Sequence, residues 1–201
     1  VGDGKISATS NFSVVADLDV VLVCVPTPLT KNRQPDLKPM ECAMNSIADN
    51  MQGEQLIVLQ STTYPGTTEE FVLPRLEKSG RRAGEDFYLA FALERIDPGN
   101  MQSLLKEVPK VVGGVDPRCT QMATAFFSTF LASVVPVSSP RVAEMTKLLE
   151  NIFRSVNIAL VNELSMLCRR MEIDIWEVIN AASTKPFGYM PFYPGPGVGG
   201  H

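Results

Sequence analysis

Three short clusters carry residue types that can do chemistry, and each lies at the end of an apolar run. Pro26-Thr27-Pro28 follows Val20–Val25, Ser61-Thr62-Thr63 follows Leu56–Leu59, and Glu94-Arg95 follows Phe87–Leu93. If the runs are strands of an open α/β sheet, their carboxyl ends line one ligand crevice. The plainer alternatives are turn-making and helix capping for the threonines and a solvated strand end for Glu94-Arg95. A second constellation is Lys147 and Asn151, four apart on one helix face, with Glu144 one turn earlier. A lysine and an asparagine on a mostly apolar helix can stabilise a developing oxyanion. The alternative is a surface salt bridge from Lys147 to Glu144 or Glu150.

Other chemistry is thinly supported. The four cysteines, Cys24, Cys42, Cys119 and Cys168, form no C-x-x-C, and the one histidine is His201. No clustered Cys/His set suits zinc, so no metal is expected. Widely spaced cysteines without a secretion signal read as free thiols in a reducing compartment, here the cytoplasm. Gly195-Pro196-Gly197-Val198-Gly199-Gly200 spells G-x-G-x-x-G. That fingerprint needs a buried strand before it and a helix after it. Tyr189 to Pro194, with two prolines, is not a central strand, so the dinucleotide reading is refused. The backbone amides of such a loop can still hold an anion.

The elements that must position these residues follow from periodicity. Asp19 to Val25 reads as a strand buried on both faces. Asp36 caps a helix with Met40, Ala43, Ile47 and Met51 on one side. Gln55 to Gln60 is the next buried strand, and Thr67-Thr68-Glu69-Glu70 a capping box opening a helix to Ser79-Gly80. Phe87 to Leu93, Lys110 to Val112 and Val134 to Val137 are further strands. Asp116-Pro117 starts a helix whose Met122, Phe126 and Phe130 share a face. From Ser139-Pro140 no breaker appears until past Met171, which makes a helix of about 45 Å at ~1.5 Å per residue. Its wide apolar arc calls for a second packing partner, a domain or a subunit. Asp174 caps a last helix, and Lys185 to His201 is a Pro/Gly/aromatic loop. The pattern is α/β with a mainly parallel, Rossmann-like sheet. Two regions are expected: 1–138, the sheet domain, and 139–201, a long central helix with a helical dimerisation domain.

The 201 residues are 45% hydrophobic and 20% charged, an ordinary globular composition. A net charge of −4 argues against a nucleic-acid-binding surface, and no apolar run reaches membrane-helix length. The chain begins in a Gly/Lys/Ser/Thr-rich stretch without methionine and stops on a glycine loop, so it reads as an excised fragment.

Four motifs occur in order: Cys24-Val25-Pro26-Thr27-Pro28-Leu29-Thr30, Ser61 to Glu69, Glu94-Arg95-Ile96-Asp97-Pro98-Gly99-Asn100, and Pro191 to His201. Together they resemble the UDP-glucose/GDP-mannose dehydrogenase family, most of all its bacterial UDP-N-acetylhexosamine 6-dehydrogenase branch. The resemblance implies an NAD-dependent enzyme that oxidises the C6 alcohol of a UDP-sugar to the uronic acid in two hydride transfers, for polysaccharide biosynthesis. It gives Glu94 the acid/base role, Thr62 a place beside the cofactor, and Lys147 and Asn151 the C6 oxygen. It lays NAD along Val25, Pro26, Thr27, Ser61 and Thr62. It gives the substrate Arg95, Lys147, Asn151 and the loop of Phe192, Tyr193, Gly195, Gly199 and Gly200. The family's cysteine nucleophile would come just after His201, and its Gly-rich βαβ unit before Val1, so the fragment alone is expected to be inactive. A homodimer through the long helix is expected, with no nucleic-acid or membrane partner. Two other readings are a non-catalytic dimerisation or binding module and a β-hydroxyacid dehydrogenase relative.

Overall fold

The structure is a computed structural model that describes residues 4–78, 80–95 and 107–197. These fall into two compact units that divide between Lys147 and Leu148.

The first unit is built on five strands: β1 (Val20–Val23), β2 (Leu56–Leu59), β3 (Tyr88–Ala92), β4 (Lys110–Gly114) and β5 (Val134–Pro136), side by side in chain order. β1, β2 and β3 run parallel, β4 runs antiparallel to β3 with Ala92 opposite Val112, and β5 is parallel to β4. The mostly parallel expectation holds. The reversal at β4 was not visible, because a hydrophobic pattern does not record strand direction.

Strand alternation sorts the core into two layers. On one face Ile57, Leu59, Leu89 and Phe91 pack with Met40, Met44 and Ile47 of α1 (Lys38–Asn50) and Leu76 of α2 (Leu73–Glu77). On the other face Leu56, Val58, Ala90 and Ala92 pack with Ala123 and Phe127 of α3 (Pro117–Ser128). Burying one such side chain contributes roughly 1.5–3 kcal/mol. The two faces explain why β2 and β3 read as unbroken apolar runs. β1 departs from that reading: Leu22 is 43% exposed, because α3 lies over β2 to β5 rather than over β1.

Two local expectations are corrected. The inward face of α3 is Cys119, Ala123 and Phe127, whereas Met122 and Phe130 are exposed. Small residues on that face let α3 approach so closely that a Cβ on Gly114 would lie 2.2 Å from the Thr120 nitrogen. The second correction concerns Thr67–Val72, which forms a π-helix leading into α2 rather than a regular first turn. Its N-cap is Gly66 in the left-handed conformation, and Thr67 Oγ1 donates to the Tyr64 carbonyl instead of capping.

The long helix α4 (Pro140–Arg170, 31 residues) lies where the unbroken pattern placed it, and the second unit begins within it. Asp174 caps α5 (Ile175–Ala182) by accepting from the Trp176 N–H at 2.9 Å. Val161, Ile175 and Ile179 form its small core, with Cys168 and Phe192 packed on it. A groove of 650 Å³ runs between α4, α5 and the following loop, lined by Phe153, Leu160, Leu164, Val178 and Met190 among others.

Candidate active site at the carboxyl ends of β1 to β3

The turns leaving β1 and β2 are held together by hydroxyl groups. The Val25 N–H donates to Ser61 Oγ at 2.9 Å, and that Oγ donates to the Val25 carbonyl at 2.8 Å. Thr27 Oγ1 donates to the Thr62 carbonyl at 2.8 Å. Val25, Pro26, Thr27, Ser61 and Thr62 therefore share one rim of the sheet. Ser61 and Thr27 do the turn-building that the plainer reading gave these residues. Pro26 and Thr62 are exposed on that rim. Thr63 is buried, and its hydroxyl has no hydrogen-bond partner among the described residues.

Glu94, two residues past β3, is more than a solvated strand end. Its Oε2 accepts from Lys110 Nζ at 2.7 Å and its Oε1 from the Arg95 N–H at 2.8 Å. Lys110 is only 9% exposed, at the start of the antiparallel neighbour β4, and its ammonium lies 5.5 Å from the centre of the Phe127 ring. The Glu94 side chain keeps 42% exposure, so the pair is worth on the order of 1 kcal/mol and mainly orients the carboxylate. Lys147 Nζ donates to the Glu94 backbone carbonyl at 2.5 Å. Arg95 Nη1 donates to the Pro109 carbonyl at 2.8 Å. Lys147 and Glu94 thus meet, although 53 positions separate them. Lys110 was missed from the sequence, since its partner is set by a β3–β4 pairing that periodicity does not encode.

Glu144 is not a surface partner for Lys147. It is fully buried, and its carboxylate accepts from the Gly66 N–H at 2.6 Å, the Thr68 N–H at 2.9 Å and Thr68 Oγ1 at 2.7 Å. Burial pushes its carboxyl pKa above the ordinary glutamate value, while the Thr68 and Gly66 donors pull it back.

Two of the thiols are poor nucleophiles. Burial raises the Cys24 thiol, with the Lys110 charge opposing, and drives Cys119 up to about 12. An activated cysteine needs the reverse shift. Cys42 sits on α1 and Cys168 near the end of α4.

The remaining residues belong to the second unit. Asn151 stands one turn beyond Lys147 along α4 and is half-buried. Phe192 makes an edge contact with Phe153, and Tyr193 stacks on Trp176, with centroids 5.6 Å apart in both pairs. Gly195 is clamped by Asn162: its N–H donates to Oδ1 and its carbonyl accepts from Nδ2, both at 3.0 Å. Asn162 carried no signal in the sequence, because one polar residue on a long helix reads as solvated surface. Gly199 and Gly200 lie outside the described residues. Among the described residues no group of three or more His, Cys, Asp or Glu side chains is placed to hold a metal ion, and no helix is long and apolar enough to cross a membrane.

Residues 1–131 match the NAD binding domain of the UDP-glucose/GDP-mannose dehydrogenase family, and residues 141–201 its central domain. The chain is 40% identical to a UDP-N-acetyl-D-glucosamine 6-dehydrogenase of Pseudomonas aeruginosa, over 98% of this chain and 47% of that protein. It is also 40% identical to an NDP-N-acetyl-D-galactosaminuronic acid dehydrogenase of Ralstonia solanacearum, over 91% and 45%. The solved structure of a UDP-D-ManNAc dehydrogenase from Pyrococcus horikoshii superimposes with a TM-score of 0.89 at 35% identity, over 96% of this chain and 46% of that one. The chain spans about half the length of the curated relatives it matches.

Proposed function

We propose that this chain, which belongs to the UDP-glucose/GDP-mannose dehydrogenase family, is part of an NAD-dependent enzyme that oxidises the C6 alcohol of a UDP-N-acetylhexosamine (or UDP-glucose) to the uronic acid. The leaning to UDP-N-acetylglucosamine rests on the Phe192-to-Gly197 string. Uronic acids of this kind feed polysaccharide assembly. In this reading residues 1–138 carry the cofactor side, and residues 139–201 carry the central helix and substrate loop.

The residues fit a dinucleotide on the rim of β1 and β2. The orphaned Thr63 hydroxyl is the observation that supports this, because a buried hydroxyl without a partner costs about 1–3 kcal/mol until a ligand or water satisfies it. Val25, Pro26, Thr27, Ser61 and Thr62 would form that contact surface. NAD, when bound, accepts the hydride leaving C6.

The chain's own side chains divide the remaining work. The Lys147 ammonium, beside the Glu94 carbonyl, stabilises charge on the C6 oxygen in the transition state. Asn151, four residues further along the same helix, is assigned the same oxygen. The Glu94 carboxylate, oriented by Lys110 and the Arg95 N–H, handles the proton of the hydrolytic water. Thr62 stands beside the cofactor, and Arg95, Phe192, Tyr193 and Gly195, with Gly199 and Gly200, hold the nucleotide sugar. The family resemblance assigns the thiol nucleophile to the position after His201. Four free cysteines suit a cytoplasmic protein. Leu149, Ile152, Val156, Leu160 and Leu164 are exposed along α4 at helical spacing, and a second copy of the chain is their proposed cover.

The observation that carries the reading is the meeting of Lys147 with the end of β3. In the whole protein, Lys147→Ala lowers kcat for UDP-N-acetylglucosamine oxidation by about 10²–10³-fold, with KM for NAD little changed. Unchanged kcat overturns the assignment. Sedimentation of the whole protein as a monomer overturns the dimer.

A further inference from the structure

We infer that Glu144 is a positioning residue: its buried carboxylate ties the first turns of α4 to the turn after β2 and so sets where the Lys147 ammonium stands. The inference rests on the role proposed above for Lys147.

The ligation of Glu144 is specific to a carboxylate. Oε2 takes the Gly66 N–H, and Oε1 takes both the N–H and the hydroxyl of Thr68. A glutamine has one acceptor oxygen, and its NH₂ would face one of these donors. The turn is shaped to present them. Gly66 is left-handed at φ 100°, and the π-helix that follows is a wide, uncommon turn. Glu144 therefore caps the π-helix from outside, in place of the Thr67 side chain that the sequence pattern suggested.

The tie reaches the crevice from both ends. The turn it grips is continuous with Thr62 and Thr63. The helix it belongs to presents Lys147 three residues later, on the same face, with Nζ on the Glu94 carbonyl. A side chain that only filled the core could be replaced by an apolar one. This one joins the two segments whose separation fixes the distance between Lys147 and the cofactor rim. Misplacement of a catalytic group by about 1 Å costs up to about 10²-fold in rate.

The test is a double-mutant comparison in the whole enzyme. Glu144→Gln should lower kcat about tenfold with KM for NAD within about twofold. Thr68→Val, which removes one donor from the opposite side, should give a smaller fall of the same kind. On a Lys147→Ala background neither substitution should lower kcat further, because the group they position is gone. Multiplicative losses in the double variants would show that Glu144 acts without Lys147 and would overturn the inference. So would wild-type kcat in a folded Glu144→Gln protein. If Glu144→Gln does not fold, Thr68→Val decides by the same comparison. If Lys147→Ala alone leaves kcat unchanged, the role of Lys147 fails first, and the inference falls with it.

Discussion

Gly113 is a point where one methyl group should reach the active site without touching it. The residue lies in β4, and a Cβ built there falls 2.2 Å from the Ser139 oxygen, 2.6 Å from the Ser139 carbonyl carbon and 3.0 Å from the Pro140 nitrogen. All three atoms are backbone, so no side chain can swing aside. Relief requires the segment entering α4 to retreat by about 1 Å, since non-bonded carbon contacts settle near 3.5 Å. Ser139 O accepts the Ala143 N–H in the first turn of α4, so the helix moves with it. A shift of that size stretches the Glu144 hydrogen bonds, now 2.6–2.9 Å, beyond useful length, and lifts Lys147 from Glu94. Overpacking costs about 1–3 kcal/mol of stability, and the displacement costs up to about 10²-fold in kcat. Gly113→Ala in the whole enzyme should therefore lower both Tm and kcat, read by thermal melting and NADH production. Gly53→Ala is the control, because nothing lies within 4 Å of its Cβ position. Wild-type kcat in Gly113→Ala would refute the coupling of α4 placement to turnover.

Two further outcomes follow from the same geometry. Asn162→Ala removes both bonds to Gly195, each worth about 0.5–1.5 kcal/mol, and should raise KM for the nucleotide sugar about tenfold with kcat nearly kept; an unchanged KM removes the loop from the substrate site. Burial raises the folded-state pKa of Glu144 above its unfolded value, so the folded state holds the proton more tightly. Its stabilising contribution is then present below the ordinary glutamate value and lost as pH rises through the raised one. The Tm of wild type relative to Glu144→Gln should fall across that window, and a gap independent of pH counts against the assignment.

Much of the framework was legible because buried strands and long helices leave continuous signals. β2, β3 and α4 announce themselves by unbroken apolar character, and the Asp116 and Asp174 caps by their positions. What stayed hidden depends on distances between segments far apart in sequence. The inward face of α3 is set by its approach to Gly114, which leaves Met122 and Phe130 outside. Thr67 loses its capping role to a carboxylate 77 positions later. Lys110 acquires its partner only once β4 turns antiparallel, and Asn162 only once the loop folds back on α4. The strand-end clusters and the pair of Lys147 and Asn151 were visible as residue types, but the link from Lys147 to Glu94 was a matter of tertiary geometry.

The sheet is finished differently at its two edges. β5 ends in Pro136, which has no N–H to offer an incoming strand. The outer side of β1, four residues long with Leu22 half-bare, has no strand beside it among the described residues and carries neither lysine nor proline to discourage one. Such an edge is sticky by its backbone alone. A preparation that leaves this edge bare invites strand addition between copies, and thus precipitation during expression or storage, before any question of catalysis arises.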